Sequence, residues 1–115
     1  MNHHNKQRKF GRVKKVRDEM MKSLALSLVV KGKIKTTDAK ARELRPYAEK
    51  LVTKGKLGTV AAHRDLIARI GDIGAEKIIK DLSPKYKSRM GGYTRITKLP
   101  RRISDGSLMS VIEFI

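Results

Sequence analysis

Apolar side chains recur at Val13, Val16, Met20, Leu24 and Leu28, with Met21 and Leu26 beside them. Steps of three and four place one stripe on one side of an α-helix, so the spacing predicts a long helix over about 13–31. Gly32 stands where a C-cap glycine would stand, and Lys31 suits the negative end of the helix dipole. Lys33-Ile34-Lys35-Thr36-Thr37 reads as a short extended segment. Thr37 is a good N-cap for a second helix, with Asp38 at its positive end and Ala41, Leu44, Ala48, Leu51 and Val52 as its buried face. Pro46 lies inside this pattern and is expected to kink or split the helix near Arg45, because proline lacks the N–H and its ring clashes with the preceding turn. Gly55 and Gly58 end it. A third helix is predicted over Val60–Ile70, a turn between Gly71 and Gly74, and a shorter fourth helix over Ala75–Leu82 closed by Ser83-Pro84.

The period then changes from helical to alternating. Tyr93, Arg95, Thr97 and Leu99 alternate with Thr94, Ile96 and Lys98 in a segment rich in β-branched residues, which predicts a strand. Leu108–Ile115 predicts another, with Asp105-Gly106 as a turn signal between them and Pro100 making the connection longer than a tight hairpin. The segment around Ile34 could pair with them. The expected fold is α+β: about four helices packed on a small, mostly antiparallel three-stranded sheet.

Charge changes the picture from fold to function. The chain of 115 residues holds 28 Lys and Arg against 11 Asp and Glu, a formal net charge of +17. Such an excess repels itself in a compact state, and nucleic-acid phosphates are the commonest polyanion to neutralise it. The excess is not evenly spread. Residues 1–17 carry Lys6, Arg8, Lys9, Arg12, Lys14, Lys15 and Arg17 and no acid. Residues 83–104 carry Lys85, Lys87, Arg89, Arg95, Lys98, Arg101 and Arg102, again without an acid. Two polyanion contacts are expected, one from a basic arm over 1–12 that is too poor in apolar residues to fold alone, the other from the late segment of a single domain over 13–115.

The remaining chemistry is sparse. There is no Cys, so disulfides and thiolate metal sites are excluded. The longest apolar run, Leu24–Val30, is too short to span a bilayer, no signal peptide is evident, and a soluble intracellular protein is expected. His3 and His4 are adjacent and His63 stands beside Arg64, with no carboxylate at ligand spacing, so no metal or other cofactor is predicted. No nucleophile–base pair emerges, and an RNA-cleaving enzyme using His63 as base is the weakest reading. Met90-Gly91-Gly92-Tyr93 lacks the lysine and serine of a nucleotide-binding loop, yet its glycines could let backbone approach a phosphate, or could form a simple loop. Tyr86 and Tyr93 could stack on an unpaired base or enter the core, and for Tyr93 partial burial is expected.

Several motifs together carry a family resemblance. They are Gly91-Gly92-Tyr93-Thr94-Arg95-Ile96 after Ser88-Arg89, and Ile34-Lys35-Thr36-Thr37 followed by Ala39-Lys40-Ala41-Arg42-Glu43-Leu44-Arg45-Pro46. Leu24-Ala25 with Ser27-Leu28 after Phe10-Gly11-Arg12, and Met109 with Ile112-Glu113, add to them. On these the chain resembles, along nearly its full length, the bacterial large-ribosomal-subunit protein number seventeen family. It departs from the usual pattern at His4, at Asp18-Glu19 and in the Pro100-Arg101-Arg102 loop. The resemblance implies a structural, non-catalytic constituent of the large subunit in the cytoplasm, one copy per ribosome, with no homo-oligomer, membrane or small-molecule substrate. It also implies large-subunit rRNA and neighbouring ribosomal proteins as partners, including the small protein number thirty-two. The residues expected to contact RNA are Lys6, Arg8, Lys9, Arg12, Lys14, Lys15, Arg17, Lys35, Lys87, Arg89, Gly91, Gly92, Tyr93, Arg95, Arg101 and Arg102. A small basic nucleic-acid-binding or RNA-chaperone protein acting off the ribosome is the alternative.

Overall fold

A computed structural model describes residues 13–115. The arm expected over 1–12, with Lys6, Arg8, Lys9 and Arg12, lies outside the described residues. Helix α1 spans Lys14–Lys31. It ends at Gly32, whose φ of 79° is costly for any residue with a Cβ and whose N–H closes on the Leu28 carbonyl at 2.7 Å. Strand β1 follows at once over Lys33–Thr37. Helix α2, Asp38–Gly55, starts where the sequence places it: the Thr37 hydroxyl accepts from the Lys40 N–H at 3.4 Å. Pro46 does not split α2, which runs unbroken through it. Pro46 is exposed, and the opposite side of the helix (Ala41, Leu44, Ala48, Leu51 and Val52) is buried in the core.

The later helices also depart from expectation. Helix α3 spans Val60–Lys77, capped by the Thr59 hydroxyl on the Ala62 N–H at 3.1 Å. Gly71, with φ 88° and ψ 172°, is non-helical, so this span is two helical stretches that meet across a kink; the expected break is present but falls on Gly71 and does not extend to Gly74. Gly74 is helical and buried instead. The second stretch starts directly after Gly71, earlier than the expected Ala75, and does not stop at Leu82 as one regular helix. The chain passes from α3 into a widened π turn, Ile78–Leu82, and a last short turn, Ser83–Lys85. The Ser83 N–H reaches back five residues to the Ile78 carbonyl, and this wide turn carries the helical path into Pro84, which has no N–H to place.

Strands β2 (Thr94–Leu99) and β3 (Met109–Phe114) complete an antiparallel sheet of order β1-β3-β2. The register aligns Ile34, Ile112 and Ile96 across all three strands on the face toward the helices. Leu28, Leu44, Leu66, Ile70 and Ile78 meet them from the helices, all essentially excluded from solvent. Burial on this scale contributes about 1.5–3 kcal/mol per large apolar side chain. Because side chains alternate along a strand, the opposite sheet face carries Lys33, Lys35, Val111, Glu113, Arg95 and Thr97. The α+β class and the three-stranded antiparallel sheet stand as expected.

Candidate nucleic-acid interface

The late basic segment is built on two tyrosines. Tyr86 and Tyr93 are both buried, with ring centroids 5.1 Å apart, and the Tyr86 hydroxyl donates to the Ile115 carbonyl at 2.5 Å. Tyr93 is 1 % exposed, deeper than the partial burial expected, so its ring is an anchor and offers no face to a base. Between these anchors Lys87, Ser88, Arg89 and Met90 project into solvent. Gly91 and Gly92, at φ 97° and 62°, turn the chain back into the core at Tyr93. Both values are left-handed, a region L side chains rarely adopt, and nothing lies within 4 Å of a Cβ at either residue. The backbone there is open to close approach.

Lys56, a residue the sequence did not single out, ties this loop to the end of α2. Its ammonium donates to the Tyr93 hydroxyl at 2.9 Å and to the Arg89 carbonyl, and lies 5.1 Å from the Tyr93 ring centroid. The hydrogen bond from Lys56 is the largest influence on the Tyr93 phenol and holds it below the ordinary phenol range. No spacing rule reveals this, because Lys56 and Tyr93 meet only in the folded chain.

Acids elsewhere are largely engaged. Asp38 pairs with Arg42, Glu49 with Arg45, Asp65 with Lys54 and Arg69, Glu76 with Lys80, and Asp81 with Lys77. Lys14, Lys15, Arg17, Lys35, Lys87 and Arg89 have no acid partner among the described residues. Of the other expected contacts, Arg95 is bound to Glu113 at 2.9 Å yet stays 60 % exposed. Arg101 donates to the Gly106 carbonyl at 2.9 Å, and Arg102 meets Asp105 at 3.3 Å, so both are folded onto their own loop. Hydrogen bonds from Ser107 hold the Asp105 carboxyl below the ordinary range, with Arg102 adding to the effect.

These residues fall into four groups. Lys87 and Arg89 precede the start of β2, Arg101 and Arg102 follow its end, and a six-residue strand separates the groups by about 20 Å. Lys35 and Arg95 share the open sheet face, two strands apart. Lys14, Lys15 and Arg17 lie on the first turn of α1. His63 is exposed elsewhere, in a shallow groove with Asp72, Glu76 and Lys80. Among the described residues no group of His, Asp and Glu could hold a metal ion, and no helix is long and apolar enough to cross a membrane.

Helices on one face of a small sheet, engaged acids and unpartnered cations on loops and open face define a small basic α+β protein whose free charge is cationic. Residues 20–115 match the family described as Ribosomal protein L17. Curated relatives named "Large ribosomal subunit protein bL17" are similar over the whole chain. That of Persephonella marina is 47 % identical over 118 residues, covering 100 % of this chain and 95 % of its own. That of Campylobacter jejuni subsp. jejuni is 44 % identical over 116 residues, covering 100 % and 99 %, and that of Nautilia profundicola 40 % over 120 residues, covering 100 % and 98 %. The chain belongs to the Ribosomal protein L17 family, a family of structural ribosomal proteins and not of enzymes.

Proposed function

We propose that this chain is a structural constituent of the large ribosomal subunit that holds rRNA by neutralising phosphates at separated points, with little base readout. The observation that carries the reading is the 87–92 loop: two cations without acid partners, pinned at both ends by buried tyrosines and from beneath by Lys56. A preorganised cationic loop loses little entropy on meeting a phosphate backbone. Arg101, Arg102, Lys35 and Arg95 add contacts farther along the sheet, and Lys14, Lys15 and Arg17 on α1. Lys6, Arg8, Lys9 and Arg12 belong to the same reading. Neighbouring large-subunit proteins, among them the small protein number thirty-two, complete the environment of one copy per ribosome in the cytoplasm.

The test is sedimentation of the wild type and of the double variant Lys87→Glu, Arg89→Glu with large subunits through rising salt. The wild type stays with the particle. The folded variant comes off at lower salt, and its affinity for rRNA fragments shows a log–log salt slope smaller by about one per lost contact. A folded variant that remains bound with an unchanged slope refutes the loop's role. A wild type that leaves the particle at modest salt and prefers duplex DNA points to the off-ribosome alternative.

A further inference from the structure

A groove of about 610 Å³ opens beside this loop, between α2, α3 and Gly91. Its floor is apolar. Leu51 is buried there, Pro46 and the half-buried ring of Tyr47 form one wall, and Leu57 stands at the mouth with 65 % of its surface exposed. Its rim is cationic: Lys50, Lys54 and Arg69 line it, and Lys50 has no partner among the described residues.

The carboxylates nearby do not reverse that balance. Glu49, the one acid in the lining, accepts from the Thr94 hydroxyl at 2.8 Å and pairs with Arg45 at 3.5 Å. Asp65 is held between Lys54 and Arg69. Asp18, on α1, lies close enough to act weakly on the Tyr47 phenol, which burial, the larger cause, pushes above its ordinary range while Arg69 opposes.

We infer that this groove is a capture site for an unpaired nucleobase of RNA. The inference rests on the rRNA reading above and adds a site to it. An aromatic wall and an aliphatic floor suit a base, whose faces are apolar and whose stacking tolerates any sequence. The cationic rim suits the phosphates on either side of a base turned out of its stack. A purely apolar protein segment would match the floor and leave the rim uncompensated, so charge complementarity selects the nucleotide. Gly91, two residues past Arg89, lines the groove, so the proposed phosphate contact and the groove adjoin along the chain.

The test places the photo-crosslinker p-benzoylphenylalanine in place of Leu57, and separately in place of Arg89, in chains incorporated into large subunits. Leu57 is exposed, so the change leaves the core intact. Expected are rRNA crosslinks from both positions, the one from position 57 mapping to an unpaired nucleotide. A crosslink from position 57 to protein, or none, with the Arg89 position still joined to rRNA, overturns the base site and leaves the phosphate reading standing. Failure of both positions to reach rRNA overturns both readings. Independently, Leu57→Ser lowers affinity for rRNA fragments about tenfold with an unchanged salt slope, the mark of a lost apolar contact and not of a lost phosphate. Unchanged affinity would again rule the base site out.

Discussion

Single side chains decide how the basic loop is held. Lys56 serves it without needing to touch RNA: its two hydrogen bonds fix the Arg89 carbonyl and the Tyr93 hydroxyl at once. Lys56→Met keeps the length of the side chain and removes the donor. Amide hydrogen exchange over residues 91–94 then speeds up by about tenfold, the worth of one charge-assisted bond, while helix α1 keeps its protection. The Tyr93 phenol moves up toward its ordinary range in the same variant, read by its absorbance titration. Asp38 gives the pH dependence. The Ser110 hydroxyl donates to it at 2.7 Å and the Arg42 guanidinium at 2.8 Å, and in that order they hold its carboxyl below the ordinary range. A carboxyl whose pKa is lower in the folded chain stabilises fully above the unfolded pKa and stops doing so as pH falls through the folded one. Ser110→Ala removes the larger cause. Its urea midpoint falls below wild type at neutral pH, and the part of the deficit carried by Asp38 disappears in acid below both pKa values.

At the scale of elements, the tightest junction is where α2 meets the π turn. A Cβ on Gly55 would lie 2.6 Å from Ile78 Cγ2 and 2.7 Å from Ser83 Oγ. Alanine is favoured over glycine in a helix by about 0.5–1 kcal/mol, yet overpacking here costs about 1–3 kcal/mol, so the steric term wins. Gly55→Ala lowers the thermal midpoint by about 5 °C in calorimetry. This junction also shows what the sequence could and could not reveal. Helix ends at Gly32 and Thr37 were legible because caps are local chemistry, and the strands were legible because alternation has a period. The split expected at Pro46 does not occur, since its local cost is outweighed by a buried face that local rules do not weigh. The break at Gly71 was legible as a glycine, but its extent was not: one residue suffices, so the helical path resumes before Ala75 and widens into the π turn. The cations of the candidate site were legible as charge. Their pinning by Lys56 and the groove beside Leu57 were not, because both arise from residues far apart in sequence.

The whole molecule is organised around β3. Both other strands bond to it and not to each other, and Lys33 of β1 pairs with Glu113 near the far end of β3. Helix contacts are local and form early, but the sheet must close a long loop. Refolding followed by stopped-flow circular dichroism should therefore take milliseconds to seconds, as in mixed topologies, and not the microseconds of helical bundles. Completion in microseconds would mean that the helices hold the fold without the sheet.

That strand order has a consequence for manufacture. Translation runs from the N-terminus at about 5–20 residues per second, so β1 exists for on the order of ten seconds before β3 is made. Through that interval β1 is an unpaired edge, the kind of surface on which nascent chains adhere to one another. Lys33 and Lys35 alternate along it, and their charge repels a second copy while it waits. Lys35, proposed above as a phosphate contact, thus has an earlier task as a guard, and one charge serves both the newborn chain and the proposed contact.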